Sequence, residues 1–295
     1  MDWLRAAEHL RRRREPGVLV TVLEVRGHAP RDAGSRMVVA AEEAWGSIGG
    51  GNLEATAVDR AREMLAAGRT GPEQLDVALT PHTHGHHGDQ CCGGQVALAL
   101  EPLPVLPAVA VFGVGHVGLE LARILARQDI DLHLVDSRAD RLAPEVLAPL
   151  ADAVARVHSH HGPDPAALVE DLPVGTHVLV LTHDHAQDVA VCDAALRHPE
   201  LGSIGLIGSS AKWRRFEVRL AEQGHPAAEI GRIRTPIGLP QVAGKDPATI
   251  AVSVAAELLA IMAAPLVAPI RPDRSRRGSG PPRGVGHGAP PAVAP

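Results

Sequence analysis

Three groups of residues in this 295-residue chain have side chains that could do chemistry. The first is Cys91 and Cys92, which follow Gln90 and precede Gly93 and Gly94. Thiolates are nucleophiles and soft-metal ligands. Adjacent cysteines make a strained disulfide with each other, so the pair reads either as a functional thiol or as two small buried side chains. The second group is His82, His84, His86 and His87, just ahead of the cysteines. Their spacing fits no closed zinc site and they lack a C-x2-C partner, so an exposed loop without a metal is expected. The third group is Thr182, His183, Asp184 and His185, with Asp188 one turn on. Imidazoles and carboxylates can bind polar ligand groups, move protons or ligate a metal. Asp184 could equally cap a helix.

Glycine turns supply the other kind of chemistry, the binding of anions by main-chain N–H groups. Val109 to Phe112 is a short apolar run that leads into Gly113, Gly115, His116 and Gly118. A helical pattern follows, and a second apolar run ends in Asp136. This is the strand, glycine turn, helix, strand, acid order of a mononucleotide-binding unit, with the acid at about the expected ~20 residues. Gly113 allows the tight turn, Gly115 lets a phosphate approach the backbone, and Gly118 lets the helix pack on the strand. The helix start then presents free N–H groups and a positive dipole end. Gly49, Gly50 and Gly51, followed by Asn52 and Glu54, open another helix and form a second candidate anion cradle. Gly208, Ser209 and Lys212 form a third, at a strand end.

The elements that must position these residues are legible from periodicity. A helix is expected over 2–14, with Trp3, Leu4, Ala7 and Leu10 on one face and the run Arg11 to Arg14 as its solvated end. Strands are expected at 18–25, 37–40, 74–79 and 95–100, and a helix at 53–67. Pro102, Pro104 and Pro107 mark a linker. Beyond it, strands are expected at 153–157, 177–182 and 203–207. Helices are expected at 119–128, 186–197, 211–223 and 247–263. Alternating strands and helices argue for a doubly wound parallel sheet. The fold class is therefore α/β: a smaller α+β domain over residues 1–104, then a Rossmann-like parallel-sheet domain over 105–264. Residues 265–295 are Pro, Gly, Arg and Ser without hydrophobic periodicity and read as a disordered tail.

Composition narrows the partners. Hydrophobic residues make up 45% of the chain but aromatics only 2%, with no Tyr, so the cores are aliphatic and base stacking is not available. A net charge of −5 gives no footprint for nucleic acid. No apolar stretch is long enough for a membrane span, and no signal region opens the chain. Three cysteines, two of them adjacent, make no disulfide framework. A cytoplasmic protein is expected.

Set side by side, these segments resemble the XdhC/CoxI family of xanthine dehydrogenase accessory proteins, in its XdhC branch. The resemblance rests on Ser47 to Glu54, Gln90 to Gly94, Phe112 to Gly118, Thr182 to Asp188, Ile204 to Ser209, Pro236 to Leu239 and Gly244 to Pro247, in that order. It runs from about Val18 to Ala263. It implies a maturation chaperone and not an enzyme: a carrier of the molybdenum cofactor, a molybdopterin. Such a carrier shelters the cofactor while a NifS-type cysteine desulfurase sulfurates it, then delivers it to the molybdenum-binding subunit of xanthine dehydrogenase. A homodimer is also implied. The molybdopterin phosphate suits a glycine turn, its pterin suits the polar groups at the strand ends, and Cys91 or Cys92 could contact Mo or its sulfur. The histidine-rich loop and the tail lie outside the family pattern. The competing reading from the glycine turn alone is an NAD(P)-dependent oxidoreductase with His183 or His185 as proton donor. A nucleotide sensor or metal-binding protein is a third.

Overall fold

A computed structural model describes residues 1–79 and 94–263. Cys91, Cys92, Gly93, the four loop histidines and the tail lie outside the described residues.

Helix α1 (Trp3–Arg13) begins on Asp2, whose carboxylate accepts from Arg5 N–H at 2.9 Å. Its buried face holds Ala6 and Leu10, while Leu4 is 62% exposed and so off the face expected of it. Strands β1 (Gly17–Arg26), β2 (Arg36–Val39) and β3 (Ala44–Gly46) follow, then helix α2 (Gly51–Ala66) and strands β4 (Glu73–Ala78) and β5 (Gln95–Leu103). These five strands form one antiparallel sheet in the order β3-β2-β1-β5-β4. Val18, Val20, Val22, Leu98 and Leu100 form a core with Leu53, Ala57, Ala61 and Met64 of α2, while α1 packs on Val38 and Ala40. Strand β5 runs three residues beyond the expected end. Pro102 is accommodated because it lies past Leu100, where β4 stops pairing at Glu73.

The second half holds β6 (Ala108–Phe112), α3 (His116–Leu125), β7 (Asp131–Asp136), α4 (Pro144–Leu147), β8 (Arg156–His161), β9 (His177–Val180), α5 (His185–Arg197), β10 (Ser203–Leu206), α6 (Ser210–Glu222), α7 (Ala227–Ile230), β11 (Ile233–Arg234) and α8 (Pro247–Ala263). Its six strands are all parallel, in the order β11-β10-β9-β6-β7-β8. Strand β6 is buried along its whole length, as a strand covered on both faces must be. Helices α3 and α8 cover one face, and α5 and α6 the other. The chain order reverses between β6 and β9. In open α/β sheets, ligands bind at the carboxyl ends of the strands at such a switch point.

Two expectations are corrected. The strand expected at 153–157 forms at Arg156–His161, because its register is set by pairing with β7 (Leu132 opposite Val157) and not by its own polar composition. The arginine run is not simply solvated. Arg14 leaves the helix in the left-handed conformation (φ 53°), and its guanidinium bonds the buried Asp131 carboxylate and the Leu106 carbonyl, while Arg11 bonds Asp129. The run therefore ties α1 to the amino-terminal edge of the parallel sheet.

Candidate functional site

The carboxyl edge of the parallel sheet gathers Gly113, Gly115, His116, Gly118, Asp136, Thr182, His183, Asp184, His185, Asp188, Gly208, Ser209 and Lys212. The glycines there have distinct reasons. Gly113 has φ 103°, and a Cβ on it would lie 2.4 Å from the Leu181 carbonyl, just past β9. A Cβ on Gly118 would lie 2.0 Å from the Gly113 carbonyl. Both are therefore demanded by the fold. Gly115 is not. Its φ of −77° suits any residue, and a Cβ there would meet nothing within 4 Å. It sits at the start of α3 and leaves open space above the first helical N–H groups.

Three helices start at this edge, and they are not equivalent. Asp184 caps α5 by accepting from Ala186 and Gln187 N–H at 2.6 and 3.2 Å. Those N–H bonds hold the Asp184 carboxyl below its usual pKa. Ser209 caps α6 by accepting from Lys212 N–H at 3.3 Å. Helix α3 has no side-chain cap. Its uncommitted N–H groups are the ones placed to take an anion.

Behind these helix starts lies a braced polar layer. Asp188 is fully buried and accepts from Thr182 N–H at 3.0 Å, Thr182 Oγ1 at 2.7 Å and Lys212 Nζ at 2.6 Å. Lys212 Nζ also donates to the Ile207 carbonyl at 3.0 Å and lies 5.2 Å from the centre of the Phe216 ring. The lysine stem crosses the place where a Gly208 Cβ would stand, 2.8 Å from its Cδ, which explains the glycine. Of the chain's 29 basic residues, only Lys212 and Lys245 are lysine. A compact ammonium fits this narrow position better than a guanidinium fork. His183 and His185 are exposed, and His185 stands edge-on to Phe216. Ser137, beyond β7, exchanges hydrogen bonds with Gln187 of α5 at 3.0 and 3.3 Å, which ties the two sides of the switch point together.

Asp136 is buried and engaged. Burial pushes its carboxyl up, but hydrogen bonds from Arg138 and the Val114 N–H outweigh this and hold it below the usual value. Sequence reasoning passed over Arg138, Ser137, Gln187 and Phe216. The only available signal was an arginine two places after the acid.

The Gly49, Gly50, Gly51 turn lies elsewhere. All three glycines have positive φ. The turn follows Gly46, which pairs with Met37 toward the end of the first sheet opposite Gly17 and Leu103, and so away from the linker. Its cradle is filled by its own acid: Glu54 accepts from Ser47 Oγ at 2.6 Å, Gly50 N–H at 3.0 Å and Ile48 N–H at 3.3 Å. Asn52 is half-buried beside it. Gly94 closes on the same sheet end, where a Cβ would meet the His28 carbonyl at 2.3 Å. Cys91, Cys92 and Gly93 precede it, outside the described residues. Cys192 is the one cysteine among the described residues, and burial pushes its thiol up to about 12, so it is no nucleophile. No group of three or more His, Cys, Asp or Glu among the described residues is placed to hold a metal ion. No helix among them is long and apolar enough to cross a membrane.

Residues 109–258 match the XdhC Rossmann domain, and residues 10–77 match the XdhC and CoxI family. The chain belongs to the XdhC and CoxI family. Two Escherichia coli relatives are similar to this member across most of its length. The uncharacterized protein YqeB is 26% identical over 246 residues, covering 83% of this chain but only 43% of its own. PaoD, named a molybdenum cofactor insertion chaperone, is 28% identical over 286 residues and covers 83% of each chain. Among solved structures, a protein described as a xanthine dehydrogenase from Bacillus halodurans has a TM-score of 0.45 at 17% identity, covering 89% of this chain and 96% of that one. An Escherichia coli tRNA N6-threonylcarbamoyladenosine dehydratase has a TM-score of 0.40 at 15% identity, over 54% of this chain and 86% of that one. In this XdhC and CoxI family member, the glycine turn, the Thr182 to Asp188 cluster and the Gly208 to Lys212 turn share one edge. The Gly49 to Glu54 turn belongs to the other sheet.

Proposed function

We propose that this protein is a non-enzymatic accessory factor that binds the molybdenum cofactor as cargo and passes it to a molybdoenzyme. The observation that carries the reading is the similarity to PaoD over 83% of both chains, in a family member whose α3 start is uncapped beneath an open Gly115. Molybdopterin brings a phosphate, which suits the free N–H groups of α3. It also brings a polar pterin, for which the exposed His183 and His185 offer donors and acceptors along the same edge, with Thr182 and Lys212 held by Asp188 behind them. Glu54 already occupies the Gly49 to Gly51 turn, which leaves α3 as the better phosphate seat.

We further propose how the cargo is handled. The carrier shelters the cofactor while a NifS-type cysteine desulfurase replaces an oxo ligand with sulfur. It then inserts the cofactor into the molybdenum-binding subunit of xanthine dehydrogenase, working in the cytoplasm, and it self-associates as a dimer. Cys91 or Cys92 contacts Mo or its sulfur, since thiolates are soft ligands. Domains spanning 1–104 and 105–264 divide the work; because the Gly94 end of the first sheet points away from the linker and the phosphate seat lies on the carboxyl edge of the second, the thiols reach the cofactor from the partner copy of the dimer. The test is reconstitution of sulfur-deficient xanthine dehydrogenase with cofactor, desulfurase and this protein. Activation above the level reached without the protein is expected. Equal activation with and without it would remove the insertion role.

A further inference from the structure

All the acceptor positions of Asp136 are taken. Its Oδ2 accepts from the Val114 main-chain N–H at 2.7 Å and from Arg138 Nη2 at 2.9 Å. Its Oδ1 accepts from the Arg138 main-chain N–H at 3.0 Å and from Arg138 Nε at 2.9 Å. A carboxylate offers about four lone-pair sites, and the protein fills them. Access is closed as well: the Asp136 side chain is 2% exposed and that of Arg138 is 27% exposed, so the guanidinium forms the solvent side of the pair.

In a dinucleotide-binding unit, the acid at the end of the second strand receives the hydroxyls of the adenosine ribose. A hydroxyl that donates needs an empty acceptor, and here it would have to displace a bidentate arginine. We propose that Arg138 is a specificity-determining residue: by saturating and covering Asp136, it turns a dinucleotide-type glycine turn away from NAD-like ligands. What remains open is the anion seat at Gly115, so the ligands admitted bring a phosphate there and no ribose diol to the end of β7. The inference concerns what the site refuses, and it stands whether or not the cargo is the molybdenum cofactor. Asp136 keeps a separate task, because its bond to Val114 N–H holds the glycine turn in shape.

The experiment is a fluorescence titration of the full chain with NADH and with NADPH, for the wild type, Arg138→Ala and Arg138→Met. The wild type should show no saturation through the millimolar range. Each variant uncovers acceptor sites on a charged group, and NADH should then bind at least about tenfold tighter. NADPH should gain nothing, because its 2′-phosphate would meet a bare carboxylate. Micromolar NADH binding by the wild type would overturn the proposal. So would variants that keep the wild-type melting temperature and bind NADH no better. Unfolding of both variants would overturn it too, by making the pair a brace of the fold and not a selector.

Discussion

Removal of the Lys212 ammonium probes the polar layer behind the site. In Lys212→Met the aliphatic stem is kept and the charge is lost. Asp188, fully buried, then retains two of its three donors, Thr182 N–H and Thr182 Oγ1. Breaking a buried ion pair by deleting one partner costs about 3–5 kcal/mol, and the two surviving donors place this case near the lower end, about 3 kcal/mol. That is a large share of the roughly 5–15 kcal/mol that holds a domain together. The assay is urea unfolding of the full chain, run as a cycle with Asp188→Asn and the double variant. Since the residues touch at 2.6 Å, the double variant should lose less than the sum of the singles by at least about 1 kcal/mol. A loss below about 1 kcal/mol for Lys212→Met, or additive losses across the cycle, would refute the view that this pair braces α5, α6 and β10 behind the carboxyl edge of the sheet.

The remaining predictions concern pH, glycines and thiols. Burial, with the neighbouring His158 and His160, holds His133 down at about 4. The unfolded ring takes its proton near pH 6.5 and the folded ring does not, so stability is intact above pH 6.5 and erodes as pH falls toward 4. Allowing for the part-exposed ring, the loss is about 1–2 kcal/mol, and His133→Phe should flatten it in unfolding curves taken between pH 4 and 7. An unchanged profile in the variant would count against the assignment. Gly118→Ala places a Cβ 2.0 Å from a carbonyl and should abolish folding by circular dichroism, whereas Gly115→Val should cost no more than about 1 kcal/mol and still lose the anionic ligand. Equal damage from both would show that Gly115 serves the fold and not a ligand. Cys91→Ala and Cys92→Ala should each leave the melting temperature unchanged, and at least one should reduce cofactor retention. Full retention in both would return the pair to a packing role.

Much of this architecture was legible before any coordinates. The buried run Val109 to Phe112, the glycine turn and Asp136 specify a parallel βαβ unit by periodicity and spacing, and they form one. The bounds of edge strand β8 were not legible, because Arg156 to His161 is polar and owes its strand conformation to pairing with β7. At the candidate site, the sequence placed the polar groups and glycine turns at one sheet edge but not the state of those groups. Whether Asp136 is free or saturated depends on the rotamer of Arg138. Whether a glycine turn is open or filled depends on Glu54 folding back over Gly50. Asp184 reads as a ligand, a cap or both, and its bonds to Ala186 and Gln187 show the cap. Such outcomes are decided by side-chain conformation in three dimensions, which spacing alone does not specify.

The proposed seat for the phosphate of a molybdopterin cargo is the uncapped α3 start under Gly115. Its most direct test is equilibrium binding of molybdenum cofactor to the purified full chain, with Gly115→Val as the paired variant. Saturable, one-to-one binding by the wild type is expected, with a loss of at least about tenfold in affinity in the variant and the fold intact. No binding of the cofactor by the folded wild type, or undiminished binding by Gly115→Val, would contradict it.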